Sequence, residues 1–181
     1  MKINLPLSRE EAALLNAGAT ISLNGVMYTA RDAAHKRLIE LLDAGKPLPF
    51  DIEGAAIYYA GPTPAPPGAI IGSAGPTTSS RMDTYTPRLL ELGLRVMIGK
   101  GKRSDAVIAA IKQNGALYLG AIGGAGALLA SCITAAETIA FDELGAEAIR
   151  RLVVEDFPAV VLVDTWGTNF YETGRTAYLT H

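Results

Sequence analysis

The chain has 181 residues, with 16 Lys and Arg against 18 Asp and Glu and a formal charge of −2, a balance that excludes a generally basic nucleic-acid binder. Apolar residues make up 49% and charged residues 19%, so the chain lies away from the disordered class and can bury roughly two-thirds of its unfolded surface as one domain. One cysteine, Cys132, rules out an intrachain disulfide, a CxxC zinc site and an iron-sulfur cluster ligated by this chain's own thiolates, and a reducing, cytoplasmic setting is expected.

The first residues lack the apolar core of a signal peptide and read as a short strand. Ser8 with Glu11 three residues on has capping-box spacing and starts a helix that Gly18 ends. Ala19–Leu23 and Val26–Ala30 flank Asn24-Gly25, which predicts a two-stranded hairpin. From Arg31 to Ala44, Ala34, Leu38, Leu41 and Leu42 recur at helical spacing, and Gly45 and Pro47 stop that helix. A strand over Ala55–Ala60 leads into the proline-rich loop Gly61–Gly68, and Ala69–Gly72 resumes as strand. A Thr/Ser turn follows, then a helix over roughly Asp83–Leu92.

Strand Leu94–Ile98, turn Gly99–Gly101 and helix Ser104–Gln113 repeat the unit. Strand Ala116–Gly120, turn Gly123-Gly124 and a helix to about Cys132 repeat it again. Three strand-turn-helix units in succession imply a parallel sheet covered by helices. Gln113 to Ala136 runs 24 residues without a charge, long enough to span a bilayer, but its five glycines break it into strand, turn and helix start. The last third is β-rich over Thr134–Phe141, Ile149–Val154 and Val160–Asp164, with a final turn at Trp166–Asn169. The expected architecture is one α/β domain over 1–181, a parallel sheet with flanking helices plus a strand-rich part made by both chain ends.

Gly54 to Ser80 carries no ionisable side chain besides Tyr58 and Tyr59, and Arg81 is the first cation after it. The turn before Arg81 is rich in hydroxyls and backbone donors and suits an anionic group, with the arginine adding a planar fork for a carboxylate. A capped helix start with a surface arginine explains the same residues. Lys100 stands in the next strand-to-helix turn, and neighbouring turns of a parallel sheet project from one edge, so Arg81 and Lys100 are placed to converge. A plain exposed basic turn is the alternative, and the Gly-Lys-Ser/Thr of a Walker loop is absent. Gly120–Gly126 lacks the context of a dinucleotide loop. His35, one helical turn after Arg31, reads as a pocket residue or a satisfied structural one, His181 as a frayed terminus, and Cys132 as a buried small hydrophobe. No HExxH, GxSxG or clustered ligand set is present.

Gly75-Pro76-Thr77-Thr78-Ser79-Ser80-Arg81-Met82-Asp83, preceded by Ala30-Arg31-Asp32-Ala33-Ala34-His35 and followed by Lys100-Gly101, Tyr118–Gly124 and Glu155-Asp156-Phe157-Pro158-Ala159, resembles the beta subunit of the class I fumarase and L(+)-tartrate dehydratase family. The resemblance runs from about Tyr28 to Tyr171. It implies a swivelling β/β/α domain and an oxygen-sensitive hydro-lyase whose [4Fe-4S] cluster is ligated by a partner alpha subunit, with no metal ligand on this chain. Position by position, it implies that Arg31, Arg81 and Lys100 hold the carboxylates of a small dicarboxylate. Thr77 takes the place of the group proposed to move the proton, as base or as hydrogen-bond donor. Fumarate hydration to (S)-malate is the first expectation, tartrate dehydration to oxaloacetate the second, and a non-catalytic dicarboxylate-binding domain the third. The expected partner is the Fe-S alpha subunit, in a hetero-oligomer such as α2β2, with neither nucleic acid nor membrane involved.

Overall fold

Alternation along three short apolar runs sets the centre of the fold. Ala56, Tyr58, Val96, Ile98, Leu117 and Leu119 are buried in one hydrophobic cluster, while Ile57, Met97 and Tyr118 between them are buried in another. Strand geometry sends successive side chains to opposite faces, so these strands are covered on both sides. The computed structural model describes residues 1–121 and 126–176. In chain order it has β1 (Lys2–Leu5), α1 (Arg9–Ala12), β2 (Thr20–Thr29), α2 (Asp32–Asp43) and β3 (Ala56–Tyr58). A 3₁₀ turn (Ser79–Met82), α3 (Thr86–Glu91), β4 (Val96–Gly99), α4 (Asp105–Asn114) and β5 (Leu117–Ala121) follow. Last come α5 (Gly126–Ser131), β6 (Ile133–Ala140), a 3₁₀ segment (Asp142–Glu147), β7 (Ile149–Val163) and α6 (Phe170–Thr176).

The sheet has seven strands in the order β1-β2-β3-β4-β5-β7-β6, and β7 also pairs with β2. Strands β2, β3, β4 and β5 run parallel, as the repeated strand-turn-helix units imply. Antiparallel β7 joins β5 through Val160↔Gly120 on one edge and β2 through Val160↔Thr20 on the other, closing part of the sheet on itself. Helices α2, α3 and α4 supply Leu38, Leu89, Leu90, Val107 and Ile111 to the second cluster. Each such fully buried side chain contributes about 1.5–3 kcal/mol. Ser104 caps α4 by accepting from the Val107 amide, and Gly115 ends it in the left-handed conformation at φ 62°. No described helix is long and apolar enough to cross a membrane.

Several expectations need correction. Asn24-Gly25 makes no hairpin: β2 runs straight through it, and the register shift there sets two steps of β2 (Leu23 to Gly25) against three of β7 (Phe157 to Val154), so the surplus residue lies on β7, where Asp156 sits at φ 50°. Gly25 sits at φ 109°, and a Cβ there would stand 2.5 Å from the Leu5 carbonyl oxygen, so the glycine admits the neighbouring β1 backbone. Ala69–Gly72 is irregular instead of a strand, because the Pro-rich loop continues through it and Ser73 N bonds back to Thr63 Oγ1 at 2.8 Å. The helix expected over Asp83–Leu92 starts only at Thr86, with Pro87 near the start of α3, and the 3₁₀ turn precedes Asp83. The helix after Ser8 closes after one turn, although its capping box is formed. Ile149–Val154 and Val160–Asp164 belong to one long strand, β7, and α6 follows the Trp166–Asn169 turn. Cys132 is half-buried. The expected turn at Gly123-Gly124 and the terminal His181 lie outside the described residues.

Candidate functional site

The parallel strands β2, β3, β4 and β5 end on one edge of the sheet, and the residues singled out by sequence follow those ends. Arg31 comes two residues after β2 and forms the N-cap of α2. Thr77 is tied beside the end of β3, where its amide donates to the Tyr59 carbonyl at 2.6 Å. Lys100 directly follows β4, and Thr78 pairs with it as an isolated parallel bridge. The Ser79 amide donates to the Lys100 carbonyl at 2.9 Å. Thr77 and Lys100 therefore occupy adjacent backbone segments, and Arg81 lies one 3₁₀ turn beyond.

Arg81 closes the other side of the edge. Its Nη2 lies 2.5 Å from Asp32 Oδ2 in the first turn of α2, beside Arg31. The Arg31 guanidinium faces Glu147, with Nε 3.7 Å from Oε1, and both of these buried atoms lack a hydrogen-bond partner among the described residues. The unmet Nε donor of this quarter-exposed guanidinium keeps capacity for an anion. Gly61 makes room for this side chain, because a Cβ there would lie 2.8 Å from Arg31 Nη1. Lys100 is exposed and makes no ion pair among the described residues, and the Thr77 hydroxyl has no hydrogen-bond partner there either. The edge thus presents one unpaired cation, two arginines held by internal carboxylates and one unengaged hydroxyl. That combination can seat a small molecule with two carboxylates.

Beneath the edge lie groups that the sequence left unassigned. His35 is fully buried, with its ring edge-on to Tyr59 at 5.4 Å. Its Nδ1 donates to the Arg31 carbonyl at 2.8 Å, which leaves Nε2 as an acceptor without a partner. Burial, reinforced by the charge of Arg103, pushes its pKa down to about 4 although the Arg31 carbonyl and Asp32 favour the proton, so the ring is neutral. The ring is thus buried with one nitrogen satisfied and the other not. Arg103 is buried beside Asp83. Burial pulls the Arg103 pKa down, and the Tyr59 hydroxyl and Asp83 carboxylate facing it more than offset that and leave it above the ordinary arginine value. The overlooked signal was an acid close to each arginine, Asp32 after Arg31 and Asp83 after Arg81. Lys102-Arg103 reads as a solvated charge pair until the structure shows Arg103 turned inward.

The Glu155–Ala159 stretch pairs with the first half of β2, and its Ala159 also pairs with Ala121 at the carboxyl end of β5. Asp156 binds Lys2 and Ser22, and Phe157 is buried, so those two residues build the fold. A depression of about 680 Å³ opens at the beginnings of β3, β4 and β5, lined by Pro6, Arg9, Glu53, Gly93 and Arg95, across the sheet from the four candidates.

The chain is similar to known proteins along most of its length. A family model described as Fumarase C-terminus matches residues 1–174. The chain is 43% identical over 174 residues to "Fumarate hydratase class I, aerobic" of Salmonella typhimurium, covering 94% of this chain and 30% of that protein. It is 48% identical over 154 residues to "Fumarate hydratase class I, anaerobic" of Escherichia coli strain K12, covering 84% and 28%. It is 37% identical over 172 residues to "Putative L(+)-tartrate dehydratase subunit beta" of Methanocaldococcus jannaschii, covering 92% and 88%. The chain therefore spans less than a third of the two fumarate hydratases and most of the tartrate dehydratase subunit.

Proposed function

Because the chain belongs to the Fumarase C-terminus family, we propose that it is the carboxylate-binding part of a class I hydro-lyase that hydrates fumarate reversibly to (S)-malate. The observation that carries this reading is the gathering of Arg31, Thr77, Arg81 and Lys100 at the carboxyl ends of neighbouring parallel strands. Residues 1–181 act as one domain, and the partly closed, helix-flanked sheet is the swivelling β/β/α unit of that enzyme. The cytoplasm is its compartment, in keeping with a single unpaired cysteine.

The chemistry asked of this chain is electrostatic. A dicarboxylate brings two negative charges, and removing a proton next to one carboxylate concentrates further charge on it. Arg81 is oriented in advance by Asp32, Arg31 faces Glu147, and the Lys100 backbone is tied to Thr78 and Ser79, so the three cations stand where they bind the ground state and stabilise that added charge. The Thr77 hydroxyl lies on the same edge and either moves the proton or hydrogen-bonds the carboxylate. An ordinary threonine is a weak base, and the hydrogen-bonding role asks less of it.

A [4Fe-4S] cluster needs several thiolates, and this chain has one cysteine, whose Sγ lies 3.7 Å from the Leu128 and Asp156 carbonyl oxygens. Its residues do not fit the group, so the cluster belongs to the partner alpha subunit. The surface supports such a partner. The uncharged runs 54–80 and 113–136 meet where Ala74 N donates to the Gly126 carbonyl at 3.2 Å, beside the Thr77 loop. Ile70 is 52% exposed and Leu128 54% exposed on that surface. Interface centres are depleted of charge in this way.

A second reading, the beta subunit of an L(+)-tartrate dehydratase, draws on the match to most of the Methanocaldococcus jannaschii protein. Anoxic purification of the tagged chain from its native cell, followed by assays with fumarate and each tartrate isomer, tests both. Co-elution of an iron-rich chain with hydro-lyase activity supports the proposal, and the faster substrate chooses between the readings. An iron-free, inactive chain that still binds dicarboxylates leaves a binding domain instead.

A further inference from the structure

We infer that Asp83 and Arg103 are positioning residues, a buried ion pair that fixes the spacing between Arg81 and Lys100. The inference rests on the dicarboxylate site proposed above. The Arg103 side chain has no solvent exposure and that of Asp83 is 14% exposed. Asp83 Oδ1 accepts from Arg103 Nε at 2.7 Å, and Oδ2 accepts from the Ser104 amide at 2.7 Å. One carboxylate, two residues past Arg81, thereby grips both the side chain and the main chain of the turn that begins at Lys100. Arg103 Nη2 donates to Thr86 Oγ1 at 2.8 Å, and that hydroxyl donates to the Met82 carbonyl at 2.8 Å, one residue from Arg81. Nη1 donates to the Tyr59 hydroxyl at 3.3 Å, and the guanidinium faces the Tyr118 ring at 4.9 Å.

A second tie runs parallel to the first. The Tyr118 hydroxyl lies 2.7 Å from the Gly101 carbonyl and 2.8 Å from Ser79 Oγ. With one proton to give, it donates to the carbonyl and accepts from the serine. The ties join segment 79–83 to segment 100–104 beneath the two cations. A buried ion pair gains little net stability over well-packed apolar side chains. What it supplies is a fixed geometry, and misplacing a substrate-holding group by about 1 Å costs roughly 100-fold in rate.

The test uses the complex of this chain with its cluster-bearing partner and compares Arg103→Lys and Asp83→Asn with Arg95→Lys. Arg95 is equally buried but sits at the opposite edge, holding the Asn114 and Gly115 carbonyls. Arg103→Lys and Asp83→Asn are expected to raise KM for the dicarboxylate and lower kcat, each by roughly tenfold or more. Arg95→Lys is expected to lower the melting temperature comparably with KM and kcat unchanged. Hydrogen exchange on the full chain gives a readout independent of turnover. The Ser79 and Ser104 amides should exchange faster in both site variants, while the Ser22 amide, bonded to the Met1 carbonyl, keeps its wild-type rate. KM and kcat unchanged in the site variants, as expected for Arg95→Lys, or unchanged exchange at Ser79 and Ser104, overturn the inference. A wild-type complex without hydro-lyase activity would count against the proposed function instead, and exchange would still decide the brace. If Asp83→Asn fails to fold, Arg103→Lys, which keeps the charge and loses the fork, decides the question.

Discussion

Arg81 and Asp32 form an ion pair, Nη2 to Oδ2 at 2.5 Å, that joins the loop beyond β3 to the first turn of α2. The arginine side chain is 52% exposed, so the pair orients the guanidinium without hiding it. Its remaining donors are left for the substrate carboxylate proposed above. Replacing Arg81 with Ala should lower kcat/KM of the complex by roughly 100- to 1,000-fold, the scale of leaving a desolvated carboxylate unpaired. Asp32→Asn should act more gently, raising KM by about threefold to tenfold, because a half-exposed pair is worth about 1 kcal/mol. Steady-state kinetics on the two variants check the order, and equal losses would show that Asp32 does more than orient Arg81.

Lys100 offers a separation of function from stability. It carries no ion pair among the described residues and is exposed, so Lys100→Met should leave stability within about 0.5 kcal/mol. Turnover should nevertheless fall by roughly 100-fold or more, as an electrostatic stabiliser of the developing charge is lost. Calorimetry and an activity assay on one preparation check both halves.

Gly99 ends β4 in a space that admits no side chain. A Cβ there would lie 2.0 Å from Ser79 Oγ and 2.9 Å from Tyr59 Cδ2. Gly99→Ala should destabilise the chain by about 1–3 kcal/mol through overpacking and push Ser79 away from the Lys100 segment. A urea titration measures the first effect. An unchanged midpoint would mean that the edge deforms more readily than its hydrogen bonds suggest.

His35 gives the fold a pH dependence. Its pKa in the folded chain is about 4 against an ordinary 6.5, so between those values the unfolded chain binds the extra proton and stability falls as pH falls. The groups around the ring are Tyr59, Tyr85, Arg103, Asp32 and the Arg31 carbonyl. From pH 7 to pH 5 the loss should be about 2 kcal/mol. Urea midpoints across that window check it, and His35→Phe should flatten the slope. A slope that persists in the variant would assign the effect to carboxylates.

Much of the site was legible because its residues lie in local patterns: strand, turn, helix, with a cation in the turn. Arg81 and Lys100 could be placed on one edge from the repeat alone. The hairpin at Asn24-Gly25 was misread because a turn dipeptide carries no record of its partner: the long antiparallel β7 pairs with both of its flanks and itself takes up the surplus residue. Ala69–Gly72 has strand composition and lies beside the edge strand β6, but the Pro-rich loop is closed by the Thr63–Ser73 hydrogen bonds and the segment stays irregular. Glu147 and Arg103 were invisible for a related reason. Each meets its partner across a long sequence separation, and an isolated charge in a sequence does not show whether it faces water.

The double pairing of β7 has a mechanical result. Strands β2, β3, β4, β5 and β7 form a hoop in which each is held on both sides, and no strand can slide outward without tearing two ladders at once. The cations standing on its rim keep their anchor points whatever acid arrives. Accommodation of a longer or bulkier acid therefore falls to side-chain rotation, and any enclosure of the site must come from a body brought down onto the rim, since the rim itself cannot contract.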